Sequence, residues 1–306
     1  MTAATGPAPR VAVRLLRFVY EAHPPAVYLL MSALWSLSVI SLLSGLAGEW
    51  VFRPEDLLVG LVFFLVLLFL RAVDEVKDLE YDQVHNPGRP LVRGAVSLAE
   101  VWFTASVAAV LAISLSALLA PVLAGFVAVN LGYGLGLLLL ERWSATFRGG
   151  IILNLLVTFP VSAALNLYVC LYLAGQGALP EPWLATVVVV AHVLAFLHLE
   201  FGRKLRWPQH EDPGSNGYVQ VLGVTGTVGV CMTLGVAACF LATLAHILAG
   251  AGWLPSLLPW LSLVATVAGL RAFQGARQRH RELKPFFGGF LMSFFALNIL
   301  VALLGH

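Results

Sequence analysis

Leu57-Leu-Val-Gly-Leu-Val-Phe-Phe-Leu-Val-Leu-Leu-Phe-Leu70 runs without interruption into Arg71-Ala-Val-Asp74-Glu75-Val-Lys77-Asp78-Leu-Glu80-Tyr-Asp82. The first half carries no polar side chain; the second packs five of the chain's 16 acidic residues into nine positions. On a helix, Asp74, Asp78 and Asp82 fall at i, i+4 and i+8 and stack on one face. Carboxylates stacked in this way repel one another unless a cation lies among them. Arg71, Lys77, Arg89 and Arg93 surround them, so an anion has partners there as well. The bases are what a loop on the inner side of a membrane carries. The acids are not, because charge at the end of so apolar a helix is costly.

The rest of the chain fits that membrane setting. Hydrophobic residues make up 59%, charged residues only 11%, and the mean hydropathy is +0.88, which excludes an ordinary soluble domain. Nine apolar runs, near 24–46, 54–72, 98–118, 120–140, 149–172, 182–202, 219–248, 256–272 and 286–304, approach or exceed the ~20 residues that span a bilayer as a helix. Lipid offers the backbone no partners, so the expected fold class is an all-α polytopic membrane protein with nine transmembrane helices. If the N-terminus is cytoplasmic, every one of the 18 Lys and Arg residues except Arg53 falls on the inner side. The positive-inside rule therefore expects an inner N-terminus, inner charged loops and an outer C-terminus.

No composition shift marks a boundary, so residues 1–306 are expected to form one domain. Residues 1–9 read as a disordered tail, and 10–22, with Arg10, Arg14 and Arg17 among apolar residues, as an amphipathic interfacial helix. Cys170, Cys231 and Cys239 lie in apolar runs and suggest no disulfide framework. Two inner loops are long and charged, 73–97 and 203–218, and they follow the second and sixth runs. The second repeats the chemistry of the first: Glu200, Arg203 and Lys204 close the sixth run, Pro208 is expected to end that helix, and Glu211-Asp212 sits in a turn built by Pro213, Gly214 and Gly217. An ion pair between Glu200 and Lys204 is the plain alternative for this second loop. Hard oxygen donors without Cys or His partners point to magnesium, which bridges carboxylates to phosphate.

The spacing Asp74-Glu75-x-x-Asp78-x-x-x-Asp82, followed by Arg89-Pro90-Leu91-x-x-Gly94, resembles the UbiA superfamily of intramembrane prenyltransferases. That superfamily has nine helices and acidic motifs after the second and sixth. Its usual first motif is Asn-Asp-x-x-Asp-x-x-x-Asp, so Asp74 and Glu75 depart from it. The second motif is altered to Glu200, Arg203-Lys204 and Glu211-Asp212. The superfamily's Tyr-x-x-x-Lys at the end of the fourth helix is replaced by Leu137-Leu-Leu-Leu-Glu141-Arg142. These departures look more like the branch that includes UbiA-type terpene cyclases than like the quinone-pathway enzymes.

The resemblance implies a UbiA-like bundle with a membrane-embedded cavity capped by the two loops, acting on an isoprenyl diphosphate. Two or more Mg2+ ions would be held by Asp74, Glu75, Asp78 and Asp82, and by Glu200, Glu211 and Asp212. Asp78 and Asp82 would be catalytic, and Lys77, Arg89, Arg93, Arg203 and Lys204 would bind the diphosphate. The partners expected are that substrate and the lipid bilayer, with neither nucleic acid nor an obligatory protein partner. Cyclisation of the resulting carbocation and transfer to a lipophilic acceptor share this site and stay open as alternatives. A transporter is disfavoured because the acids cluster at the inner rim. A CDP-alcohol phosphotransferase is disfavoured because its Asp-Gly-x-x-Ala-Arg motif is missing. His192 and His198, six residues apart, lie on different helix faces and read as interior residues.

Overall fold

The computed structural model describes residues 11–48, 50–144, 150–210, 217–278 and 281–305. The tail at 1–9, Arg10, Glu211 and Asp212 lie outside them. Helix α1 (Val11–Ala22) is followed by α2 (Pro25–Ala47), α3 (Pro54–Lys77), α4 (Leu79–His85), α5 (Leu98–Leu119) and α6 (Pro121–Trp143). The second half has α7 (Ile151–Gly175), α8 (Pro182–Arg203), α9 (Tyr218–Leu248), a 3-10 segment (Pro255–Ser262) leading into α10 (Leu263–Gly275), and α11 (Lys284–Leu304). Among the described residues, nine helical segments are long and apolar enough to cross a membrane, at the nine places the hydropathy marks.

Local chemistry sets the helix ends. Pro25, Pro54, Pro121 and Pro182 each open a spanning helix, where a missing N–H costs nothing. At α5, Ser97 and Glu100 form a capping box: the Ser97 hydroxyl accepts from the Glu100 amide and the Glu100 carboxylate accepts from the Ser97 amide. Two spans depart from a plain helix. The eighth begins as 3-10 turns, with Pro259 inside and no amide there to donate. Within α9, Gly223 has φ 68° and ψ 169°, a conformation open to glycine, so the helix breaks one turn after it starts.

Two compact units make up the chain. One comprises residues 1–32 and 61–142, the other 33–60 and 143–306. In the first, α1 is tied to α5 by Arg14, whose guanidinium lies 2.6 Å from Glu100. Phe18 is its one buried residue, while Val11, Val13, Leu16 and Tyr20 are exposed. Arg71 of α3 donates to the Ala22 carbonyl at 3.1 Å, and His23 stacks on Tyr28 with ring centroids 3.8 Å apart. Burial, with the charge of Arg71, pushes the His23 imidazole down to about 4.

In the second unit, buried polar side chains pin helices to one another. The Trp35 indole donates to Asn166 at 2.8 Å. His192 donates from Nδ1 to the Val188 carbonyl, leaving Nε2 to accept from the Ser38 hydroxyl at 2.9 Å. His198 donates from Nδ1 to the Cys231 carbonyl and accepts from Thr266, both at 2.8 Å. Both histidines are thus satisfied interior residues. Phe287 is fully buried between α8 and α10, in gaps left by Gly202 and Gly269.

Candidate functional site

The first acidic segment is shaped by the junction of α3 and α4. The α3 backbone continues through it, since the Asp78 amide bonds to the Asp74 carbonyl at 2.9 Å and the Asp82 amide to the Asp78 carbonyl at 2.8 Å. Asp78 itself caps α4 with φ −86° and ψ 4°, off the helical value. Four of the acids fall into two sets by their exposure and their cationic partners.

Asp74 and Asp78 form the open set, with side chains 48% and 40% exposed. Between them lies the Lys77 ammonium, 3.5 Å from Asp74 and 3.7 Å from Asp78. It approaches Glu141, near the end of α6, more closely still, at 3.2 Å. Partial burial, opposed by Lys77 and reinforced by Asp74, Glu141 and Asp82, pushes the Asp78 carboxyl up to about 6.

Glu75 and Asp82 form the closed set; both are buried. Glu75 accepts from Arg71, one turn before it, and from Arg89 at 2.9 Å. Asp82 accepts from Asn86 at 2.6 Å and lies 3.5 Å from Arg89. Arg89 therefore joins both buried acids and fastens the Arg89-Pro90-Leu91 turn to the end of α3. Arg93, one turn further on, pairs with Glu21 of α1. That contact, with Arg17, holds the Glu21 carboxyl below the usual carboxylate range.

The second acidic segment belongs to the other unit. Helix α8 ends at Arg203, before Pro208, which instead opens a short 3-10 turn, Pro208–His210. Glu200, on the last turn of α8, pairs with Arg203 at 2.5 Å and Lys204 at 2.6 Å. Its other neighbour is the Tyr218 hydroxyl at 3.5 Å; the Tyr218 ring stacks on Phe201 and lies beneath Lys204. Past the helix, Trp207 stacks on Phe273 with centroids 4.7 Å apart and donates to its carbonyl. Gln209 and His210 both reach the Arg277 carbonyl, and the Arg277 guanidinium covers Trp207 at 5.2 Å. The charged segment 203–210 is thus docked on the end of α10 by aromatic and main-chain contacts. The sequence offers a signal for this, Trp207 next to a proline, but not its destination.

Among the described residues, no three acidic, histidine or cysteine side chains converge as a ready metal cage. Magnesium does not require one: it keeps several waters and uses one or two carboxylates together with substrate phosphates. Asp74 and Asp78 supply that number of hard oxygen donors, half-exposed and one turn apart, with a cationic side chain already drawn between them. These donors fit a magnesium ion. Glu75 and Asp82, engaged by arginines, are less available to one.

A model of the UbiA prenyltransferase family matches residues 29–299. The chain belongs to that family. The nine apolar helices among the described residues are accordingly those of a multi-pass integral membrane protein of UbiA fold. The apo structure of a UbiA homolog from Aeropyrum pernix K1 is similar, with a TM-score of 0.62 and 17% identity over 89% of this chain and 96% of that one. A second solved structure, described as giving structural and mechanistic insights into the biosynthesis of digeranylgeranylglyceryl phosphate synthase in membranes, has a TM-score of 0.58 and 17% identity. It covers 95% of this chain and 98% of its own. No curated protein matches the chain.

Proposed function

We propose that this UbiA-family protein is a magnesium-dependent membrane enzyme that ionises an isoprenyl diphosphate and cyclises the resulting carbocation. The observation that carries the reading is the Asp74–Asp78 pair: two half-exposed carboxylates one helical turn apart, at the end of a membrane-spanning helix. Asp74 and Asp78 would hold one magnesium, and Glu200 with Glu211 and Asp212 would provide the acids for another. Magnesium, when bound, supplies Lewis-acid neutralisation of diphosphate oxygens.

The remaining chemistry belongs to the protein's own side chains. The allylic C–O bond breaks with its electron pair leaving on the diphosphate. Lys77 and Arg93 of one unit would offer donors to that anion as charge develops, and Arg203 and Lys204 of the other carry the same donor chemistry. Arg89, bound to Glu75 and Asp82, has a mainly positioning role in this reading: it holds the loop that follows Asp82. The apolar interior then keeps water from the cation until a double bond of the same chain captures it and a proton is lost or water is added.

Cyclisation is preferred because the departures from the usual motifs, Asp74, Glu75, Leu137 and Glu141, set this chain apart from the prenyltransferase pattern. The competing reading, capture by a separate lipophilic acceptor, uses the same ionisation step. Purified protein incubated with magnesium and ten-, fifteen- or twenty-carbon isoprenyl diphosphate, with no acceptor, decides between them by mass spectrometry. A cyclic hydrocarbon or alcohol is the expected product. Diphosphate release only after an acceptor is added overturns cyclisation in favour of transfer. No release under either condition, for substrates of all three lengths, overturns the enzyme reading.

A further inference from the structure

The closest partner of Lys77 is on another helix. Its ammonium lies 3.2 Å from the Glu141 carboxylate of α6, against 3.5 Å to Asp74 and 3.7 Å to Asp78. Only the first is hydrogen-bonding distance; the other two are attraction at longer range. Lys77 and Glu141 are each 21% exposed, whereas Asp74 and Asp78 are about twice as open to solvent. The pair is therefore less open to solvent than the two carboxylates beside it. The ammonium is drawn toward them without closing onto either.

We propose that Glu141 is a positioning residue: it holds the Lys77 ammonium to one side of Asp74 and Asp78 and so sets how tightly that pair binds a divalent cation. The inference rests on the reading that such a cation binds Asp74 and Asp78. With Glu141 in place, Lys77 has somewhere to retreat when a cation arrives, and its charge stays beside the site, fixed, for an anionic ligand of that cation. Without the Glu141 carboxylate, Asp74 and Asp78 are the acids left to Lys77 among the described residues, and it closes onto them and competes with the incoming cation. Without the Lys77 ammonium, Glu141 has nothing to hold, and the open pair loses its resident competitor.

These roles give opposite signs on neighbouring residues and a defined coupling between them. Mn2+ is titrated into the full-length protein in detergent, with affinity read by calorimetry and free Mn2+ by electron paramagnetic resonance, so no turnover is needed. Glu141→Gln weakens binding about tenfold and Lys77→Met tightens it about tenfold, as expected for directly coupled neighbours. The double variant binds like Lys77→Met alone, since Glu141 acts through Lys77. Glu141→Asp keeps the charge and stays within about threefold of wild type; it also carries the test if Glu141→Gln fails to fold. Equal weakening by Glu141→Gln with and without Lys77, or no tightening in Lys77→Met, overturns the inference while leaving the cation site standing. Wild-type protein that binds no Mn2+, or an Asp74→Asn, Asp78→Asn double variant that binds it as wild type does, removes the cation reading itself.

Discussion

Glu75 and Asp78 sit three positions apart, yet their surroundings assign them different work. Glu75 is buried beneath two guanidinium groups, and Asp78 stands half-open beside a single ammonium. Removing the Glu75 charge leaves Arg71 and Arg89 facing a neutral side chain in a buried place. Glu75→Gln is therefore expected to destabilise the protein by about 3 kcal/mol, read as a lowered unfolding midpoint in detergent. Asp78→Asn removes a carboxylate whose ionised form the cation-free fold disfavours, so it is expected to leave that midpoint unchanged or raised and to lower diphosphate release at least about a hundredfold. Acidity adds a second distinction. Asp78 has its carboxyl raised from the ordinary 3.8 to about 6, so in the cation-free fold its ionised form is the disfavoured one. The stability this group contributes is whole below about 3.8 and is lost as the pH rises through about 6. A cation bound to Asp78 would reverse the preference and displace the proton. Stabilisation by added magnesium should accordingly shrink as the pH falls through about 6, checked by thermal shift with and without the ion across that range.

At the scale of elements, helices approach closely where the sequence has glycine. A Cβ at Gly202 would meet the Phe287 ring at 2.1 Å, and one at Gly269 would meet Phe286 at 2.8 Å. Gly202→Ala is expected to cost about 2 kcal/mol by pushing α11 away from α8, measured by the unfolding midpoint. The spanning elements themselves were legible from hydropathy, since a run long enough to cross lipid has one secondary structure open to it. What hydropathy did not carry was the interruption of the eighth span by 3-10 turns and of α9 at Gly223, both local main-chain events inside an apolar run. The acidic segment was half legible. Spacing placed Asp74, Asp78 and Asp82 on one helical face, and the ladder of backbone bonds does run through them. The burial of Asp82 depends on Arg89 folding back over it, a tertiary contact that spacing does not encode.

On the scale of the whole molecule, the distribution of basic residues makes an orientation that can be measured. His85, just past the first acidic segment, and Trp253, in the turn between α9 and the eighth span, should lie on opposite sides of the membrane. In spheroplasts, a His85→Cys variant should react with a membrane-impermeant maleimide only after permeabilisation, whereas Trp253→Cys should react directly. The reverse pattern would place both acidic segments outside. Family and fold were readable before any coordinates because one motif and nine apolar runs recur in a fixed order. The division of labour among the acids was not, because it depends on which cation each one meets.

Lys77, Arg71 and Arg89 have one more consequence, for how the protein is made. Asp74, Glu75, Asp78 and Asp82 of the first segment each already face a positive side chain from the same chain. Part of that segment's charge is thus already compensated within the chain as the helix enters the bilayer, with no ion taken from the cytosol on the way. Biogenesis and activity would then have different ionic requirements. Cells starved of magnesium should accumulate full-length, protease-resistant protein that turns over once the ion is restored, rather than a misassembled chain awaiting degradation.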